Sequence, residues 1–264
     1  MNMTRSNESV GSDAARGFRK RHDLGNAPIS DLNDLVESRL GIDVAIMPMD
    51  EGLDGMVVQD PATNQRIIAI ACTTSLERQR ATLAHELGHL ELGDFAADGI
   101  IECTRGSSEI KADAFARNLL VPTAGVIEFF DRPGGSAPLS EADLSRGVRY
   151  FEVSPRLLLI QMENTRQISK MQKDSWWALS TGALAARYGW AEEHIASQRK
   201  AMTPQAPMRI VSEAMDAYIN NMIGLEAVAR IRGIPAADLA VELELYDIRP
   251  IPTVAPKARF GQRS

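Results

Sequence analysis

The sequence feature that most constrains the fold is a pair of histidines, four residues apart, inside an apolar run. The run LERQRATLAHELGHLEL (residues 76–92) has leucine and alanine at helical spacing, follows Ser75, and ends before Gly93. A serine N-cap and a glycine stop predict a largely buried helix over this range. Residues four apart share one helix face, so His85 and His89 can bind one metal ion.

Glu86 stands beside this pair in the pattern HExxH. It projects about 100° away from His85 around the helix, to the side of a bound ion. Zinc lowers the pKa of water to about 7, and a carboxylate in this place can take a proton from that water and pass it to a leaving amine. The pattern therefore predicts a zinc-dependent peptidase with Glu86 as the catalytic base.

A catalytic zinc site needs a third protein ligand, and Glu109 is the best candidate. It lies 20 residues beyond the second histidine, at the start of the next predicted helix, SEIKADAFARNLLVP (residues 108–122). Asp113, one turn further, can accept the outer N–H of a ligand imidazole. The small side chains of Ala112 and Ala116 would let the two helices approach closely.

Other side chains stay open as ligands. Glu102 and Cys103 lie in an irregular stretch, and Cys103 is a ligand, a redox-sensitive thiol or a half-buried small residue. Glu91 and Asp94 follow the second histidine too closely to curl back to its ion easily. The remaining histidines are expected at the surface: His22 and His194.

The hydrophobic pattern predicts an α+β protein. Three strand candidates form a small antiparallel sheet, and helical periodicity precedes them from Ser30 to Gly41. Everything after Ser140 is helical. The expected organisation is a flexible leader (1–29), a core with the sheet and both motif helices (30–130), a linker (131–139), a helical C-terminal domain (140–248) and a basic flexible tail (249–264). The strand candidates are Asp43–Met49, Gly55–Gln59 and Arg66–Ala71.

Charge is unevenly distributed. The formal net charge of the chain is −6. Residues 1–30 carry a net charge of +2 and residues 249–264 one of +4, so residues 31–248 carry −12.

Three segments within residues 31–248 have the outline of a helix-turn-helix pair. Basic residues are not concentrated on their second helices, so tight helix packing is the favoured interpretation. An acidic body argues against direct nucleic-acid binding. The three outlines are 149–159, 187–197 and 230–240.

Cysteine usage and hydropathy predict a cytoplasmic protein. The two cysteines have no CxxC spacing, so a disulfide framework is not expected. No apolar stretch approaches the roughly 18 to 20 residues of a membrane helix, and the N-terminus lacks the apolar segment of a secretory signal.

Two segments together, TLAHELGHLEL (82–92) and SEIKADAFARNLLVP (108–122), resemble the ImmA/IrrE family of metallopeptidases. The second follows the family pattern E-x-x-A-[ND]-x-F-A-x-x-L-L-x-P, and the resemblance covers about residues 30–165. It implies a gluzincin-like zincin core, with zinc on His85, His89 and Glu109 and with Glu86 as base. It also implies a cytoplasmic protease that controls genes by cleaving a helix-turn-helix repressor.

Three functions are therefore compared. The first is a repressor-cleaving zinc endopeptidase, of which a toxin-type protease acting on a host protein is a variant. The second is a metal-binding anti-repressor or sensor that holds a protein partner without turnover. The third, a DNA-binding regulator, ranks last because the body of the chain is acidic.

Overall fold

The computed structural model describes residues 6–60, 62–94, 106–131 and 138–252. It divides into two compact units, one up to Pro204 and one from Gln205. The first unit combines a three-stranded sheet with helices, so the predicted α+β class is confirmed. Its strands are β1 (Asp43–Met47), β2 (Gly55–Gln59) and β3 (Arg66–Ala71).

Helices of the first unit both precede and follow this sheet along the chain. Helix α2 continues directly into a π-helical turn, Leu35–Arg39. The described helices are α1 (Asn7–Arg21), α2 (Leu32–Asp34), α3 (Leu76–Leu92), α4 (Ser107–Leu120), α5 (Thr123–Phe130), α6 (Glu141–Phe151), α7 (Pro155–Asn164), α8 (Lys170–Trp176), α9 (Thr181–Tyr188) and α10 (Ala191–Met202).

The sheet is mixed, which corrects the expectation of an antiparallel one. Strand order is β1-β3-β2, with β3 antiparallel to β2 but parallel to β1. After β1 the chain forms β2 at the opposite edge of the sheet and then β3, the central strand between them. The nearly continuous apolar sequence of β3 suits this central place, whereas alternation alone carries no information on strand direction. Ile68 of β3 pairs with Val44 and Val57 on the face that joins the core.

The expectation of a flexible leader is wrong for its described part, because residues 7–21 form helix α1. Ser6 caps it by accepting a hydrogen bond from the Ser9 amide. Phe18 is buried against Phe115 of α4, with ring centroids 5.8 Å apart. Small and apolar side chains at helical spacing override the polar composition of this segment. Helix α1 therefore belongs to the same packed unit as the ligand helix.

The expected boundary at residues 131–139 is also corrected, because the two units separate after Pro204. Helices α6 and α7 and the connection between them contribute Phe151, Val153 and Leu158 to the main core. His194 of α10, expected at the surface, is largely buried next to Glu77 of α3. Most of the linker (132–137) and of the basic tail (253–264) lies outside the described residues.

The described part of the second unit, residues 205–252, contains three helices, α11 (Met208–Ile219), α12 (Leu225–Arg232) and α13 (Ala236–Leu245). Its core is small and consists of Val228, Ala229, Leu239 and Leu243. Helices α12 and α13 are joined through Gly233 in the left-handed conformation, the tight helix pair predicted for residues 230–240. Among the described helices, none combines the length and apolar character that crossing a bilayer requires.

Gly11→Ala is expected to destabilise the first unit by about 1 to 3 kcal/mol. An added Cβ at this position would lie 2.1 Å from the carbonyl oxygen of Lys111, so α1 would have to move off α4. Gly17→Ala on the same helix is the control, since its Cβ would meet only the tip of Arg21 at 3.4 Å. The Gly17→Ala substitution should leave the free energy of unfolding unchanged or increase it by up to about 1 kcal/mol. Urea unfolding measures both, and equal stabilities would contradict the packing of α1.

Candidate metal centre

Helix α3 holds the two histidines, and its limits are those that the sequence predicts. Ser75 caps the N-terminus by accepting a hydrogen bond from the Arg78 amide, and Gly93 ends the helix with φ of +71°. The imidazoles of His85 and His89 point into the same region, with ring centroids 4.8 Å apart. His89 is fully buried and His85 is partly exposed.

Helix α4 packs closely on α3 because both helices have small residues at the contact. A Cβ added to Gly88, the glycine inside HELGH, would lie 3.2 Å from the Cα of Ala112 and 3.1 Å from the ring of Phe115. Ala112 is fully buried there, in agreement with its predicted role. The close contact brings Glu109, one turn earlier on α4, over the histidines.

Three side chains converge on one point. The Nε2 atoms of His85 and His89 are 3.1 Å apart. The two carboxylate oxygens of Glu109 lie 3.3 Å from these nitrogens, Oε2 from His85 and Oε1 from His89. One ligand atom from each residue falls within 4.8 Å of the others. The predicted ligand set is therefore brought together in space.

Each histidine is held at its outer nitrogen by a carboxylate. His85 Nδ1 donates to Asp113 Oδ1 at 2.9 Å, the contact predicted for Asp113, and His89 Nδ1 donates to Asp94 Oδ2 at 3.1 Å. An ionised carboxylate only accepts hydrogen bonds, so both protons reside on Nδ1 and both Nε2 lone pairs face the cluster.

Asp94 is the residue that sequence reasoning missed in this role. Gly93 ends α3 in a Schellman motif, in which the Asp94 amide donates to the His89 carbonyl at 3.1 Å and the Gly93 amide to the Leu90 carbonyl at 3.3 Å. This turn reverses the chain and returns the Asp94 carboxylate to His89. The sequence signal for this contact is a glycine followed by an aspartate at the end of the helix. A left-handed glycine folds the chain back on the last helical turn and so brings the next side chain close to that turn.

The cluster fits a bound cation. With both rings neutral, two imidazole lone pairs and a carboxylate face one another without a donor among them, and Glu109 Oε1 is buried with no hydrogen-bond partner. Buried acceptors in such an arrangement repel and lose solvation. A divalent cation would satisfy all three at once. His85, His89 and Glu109 would hold it, a set of two nitrogens and one oxygen that leaves further coordination open.

The electrostatics of the cluster raise the pKa of two side chains, His85 and Glu86. Burial lowers the pKa of His85, but the hydrogen bond to Asp113 and the charges of nearby carboxylates outweigh it and raise that pKa above its ordinary value. Burial is the largest influence on Glu86 and raises the pKa of its carboxyl; the two imidazoles oppose this, and Glu109 adds to it. A carboxyl group with a raised pKa is suited to accept a proton and release it again.

The cluster opens into a cleft of about 630 Å³. Its walls are formed by the residues just before β2, the first turns of α3, which include Glu86, and one face of α4. Helix α7 contributes Leu157 and Ile160, so the wall includes residues beyond the predicted core segment. The lining residues are Gly52, Leu53, Asp54, Gly55, Arg78, Ala81, Thr82, His85, Glu86, Glu109, Asp113, Ala116, Arg117, Leu157 and Ile160.

Apart from Asp94, which contacts the outer nitrogen of His89, the rival ligands lie elsewhere or outside the described residues. Glu91 forms an ion pair with Arg21 of α1, away from the cluster. Glu102 and Cys103 fall outside the described residues. His22 packs against Phe18, with ring centroids 4.4 Å apart.

A small sheet beside a helix that carries two histidines and a glutamate, with an acidic residue supplied by a second helix, is the core of a zincin-type metallopeptidase fold. Residues 37–163 match a peptidase family model described as an IrrE N-terminal-like domain. The match covers slightly less than half of the chain, and it supports the resemblance of this segment to the ImmA/IrrE family of metallopeptidases that its two motifs indicate. No curated protein matches the sequence.

Asp94→Asn is expected to weaken zinc binding by about 10- to 100-fold, because His89 loses the carboxylate that orients it. Glu91→Gln is the matched control: it removes the other acid near the end of α3, but that acid faces Arg21 and should leave affinity unchanged. Competition with a zinc-binding dye measures both. Equal affinities would contradict the role assigned to Asp94.

Proposed function

We propose that the protein is a zinc-dependent endopeptidase that hydrolyses a peptide bond in a protein substrate. In this proposal His85, His89 and Glu109 bind zinc, and Glu86 is the catalytic base. The observation that carries it is the convergence of three potential ligand atoms beside a buried glutamate, at one side of an open cleft.

Zinc is the metal that best suits the donor set. Two imidazole nitrogens and one carboxylate are the ligands of many catalytic zinc sites in hydrolases, which keep a further position for water or substrate. The carboxylate contacts of Asp94 and Asp113 strengthen the basicity of both imidazoles. When bound, zinc would lower the pKa of a water molecule and polarise the substrate carbonyl.

Glu86 handles the proton in this reaction. Its carboxylate accepts a proton from the attacking water and delivers it to the nitrogen of the leaving amine. The side chain lines the cleft but is 7% exposed, so its environment is poor in water. Burial raises the pKa of the carboxyl, which helps it to hold the proton between the two transfers.

The sheet offers a place for an extended peptide. Strand β2 is an edge strand, and Asp54 accepts a hydrogen bond from the Ala71 amide at 2.9 Å. Because hydrogen-bonded pairs alternate in an antiparallel ladder, the amide and carbonyl groups of Gly55 and Val57 point to the free edge. Gly55 lies next to Glu86, since an added Cβ would be 3.2 Å from Glu86 Oε1. A peptide added to this edge would pass beside the base.

The substrate in this proposal is a helix-turn-helix transcriptional repressor, and cleavage relieves repression in the cytoplasm. This part rests on the resemblance of the two motifs to the ImmA/IrrE family. Incubation of the zinc-loaded protein with the repressor encoded nearest to its gene tests it. Repressor fragments would support it, and stoichiometric inhibition without fragments would favour the anti-repressor function instead.

Glu86→Gln should reduce cleavage by about 10²- to 10⁴-fold, since the amide cannot accept the proton. Zinc content should stay at the wild-type level, because Glu86 is not among the converging ligand atoms. Cleavage of a protein substrate and zinc per chain are measured on the same preparation. Wild-type cleavage by a zinc-loaded Glu86→Gln protein would refute the assigned base.

Gly55→Ala should impair cleavage, because its Cβ would lie 2.6 Å from Thr82 Cγ2 and press on Glu86. Adding Thr82→Ser removes the closest contacting methyl group and should restore part of the activity. Thr82→Ser alone is the control. The turnover of the three variants is compared at equal zinc content, and full activity of Gly55→Ala alone would contradict the close approach of β2 to the base.

A further inference from the structure

Arg117 lies in the cleft without a role in the proposed metal chemistry. It is on α4, two turns beyond Glu109 and one turn beyond Asp113, and it lines the same cavity as Leu157 and Ile160 of α7. The cleft therefore has a cation at some distance from its metal ligands, next to an apolar wall.

The guanidinium of Arg117 is only partly satisfied. Its side chain is 13% exposed, and its Nη2 atom pairs with the carboxylate of Glu8 in the first turn of α1. Its Nε is buried and has no hydrogen-bond partner. Burial lowers the pKa of this group, but an arginine remains protonated at neutral pH. A buried charged donor without an acceptor is costly, and a planar guanidinium best receives a carboxylate.

We propose that Arg117 is a specificity-determining residue that binds an acidic side chain of the peptide substrate. The inference rests on the proposed peptidase function. Glu8 indicates the ligand chemistry, because the group that Arg117 already binds is a carboxylate. Aspartate or glutamate in the substrate would supply the same acceptor from the side of the cleft.

The position of that acidic residue follows from helix geometry. Eight residues separate Glu109 from Arg117, which corresponds to about 12 Å along α4. An extended peptide covers about 3.3 Å per residue. For a peptide that runs along α4, the recognised side chain therefore lies roughly three or four residues from the cleaved bond.

Arg78 is a second cleft arginine and serves as the matched control. Its side chain is 61% exposed, and it pairs with Asp54 at 2.6 Å. Exposed ion pairs contribute little, and in this one the carboxylate partner is supplied by the chain itself. Replacement of Arg78 should leave the preference for acidic substrates unchanged.

The first experiment measures substrate preference. The zinc-loaded full chain is given peptide libraries with aspartate or asparagine fixed at each of five positions on either side of the cleaved bond. Cleavage is read by mass spectrometry. We expect a preference for aspartate of roughly tenfold or more at one position three or four residues from that bond. Arg117→Gln should abolish it, Arg117→Lys should keep part of it, and Arg78→Gln should keep all of it.

The second experiment measures binding without turnover. Glu86→Gln protein, with Arg117 either kept or replaced by Gln, is titrated with the fluorescein-labelled aspartate and asparagine peptides. Fluorescence polarisation should show tighter binding of the aspartate peptide only when Arg117 is present. Thermal unfolding and zinc content verify that each variant is folded and loaded.

The outcomes separate the two proposals. Cleavage with equal rates for aspartate and asparagine at every position, or an aspartate preference that survives Arg117→Gln, would overturn the role of Arg117 alone. No cleavage of any library or protein substrate, together with an Arg117-dependent preference in binding, would overturn the peptidase function and leave acidic-peptide recognition standing. An absence of both cleavage and selective binding would overturn both.

Discussion

The contact between α3 and α4 is the constraint on which the rest of the structure depends. Gly88 and Ala112 let the helix backbones approach until Glu109 faces both histidines. The result is three acceptor atoms that repel one another, with the Glu109 Oε1 lone pairs buried and unsatisfied. A bound cation would relieve that repulsion and so stabilise this helix pair.

Support for this contact comes from outside the two motifs. Helix α1 lies along α4, with Gly11 against the carbonyl of Lys111 and Phe18 against Phe115. Helix α7 forms part of the cleft wall through Leu157 and Ile160. The carboxylates of Asp94 and Asp113 fix the tautomer of each imidazole. The site is thus held by elements that are distant from one another in the chain.

The cleft combines the proposed reaction centre with features that the motifs do not specify. The proposed zinc ligands and base are the parts that the two motifs carry. Strand β2 supplies main-chain groups that any extended peptide can use, which gives no sequence selectivity. Arg117 lies further along the same cleft, where its unpaired Nε is the proposed contact for an acidic residue of the substrate. In the two proposals, catalysis and selectivity therefore use different parts of α4.

Local signals in the sequence determined the limits of α3, the three strands and the candidate ligands. These features depend on residues that are neighbours in the chain, so the sequence alone predicts them. They are the capping of α3 by Ser75 and Gly93, the four-residue spacing of His85 and His89, and the small residues on one face of α4. Tertiary structure alone decided the direction of β1, the packing of α1, the return of Asp94 to His89 and the entry of Arg117 into the cleft. These features arise where segments far apart in sequence meet, and burial and pairing there are set by packing rather than by local propensity.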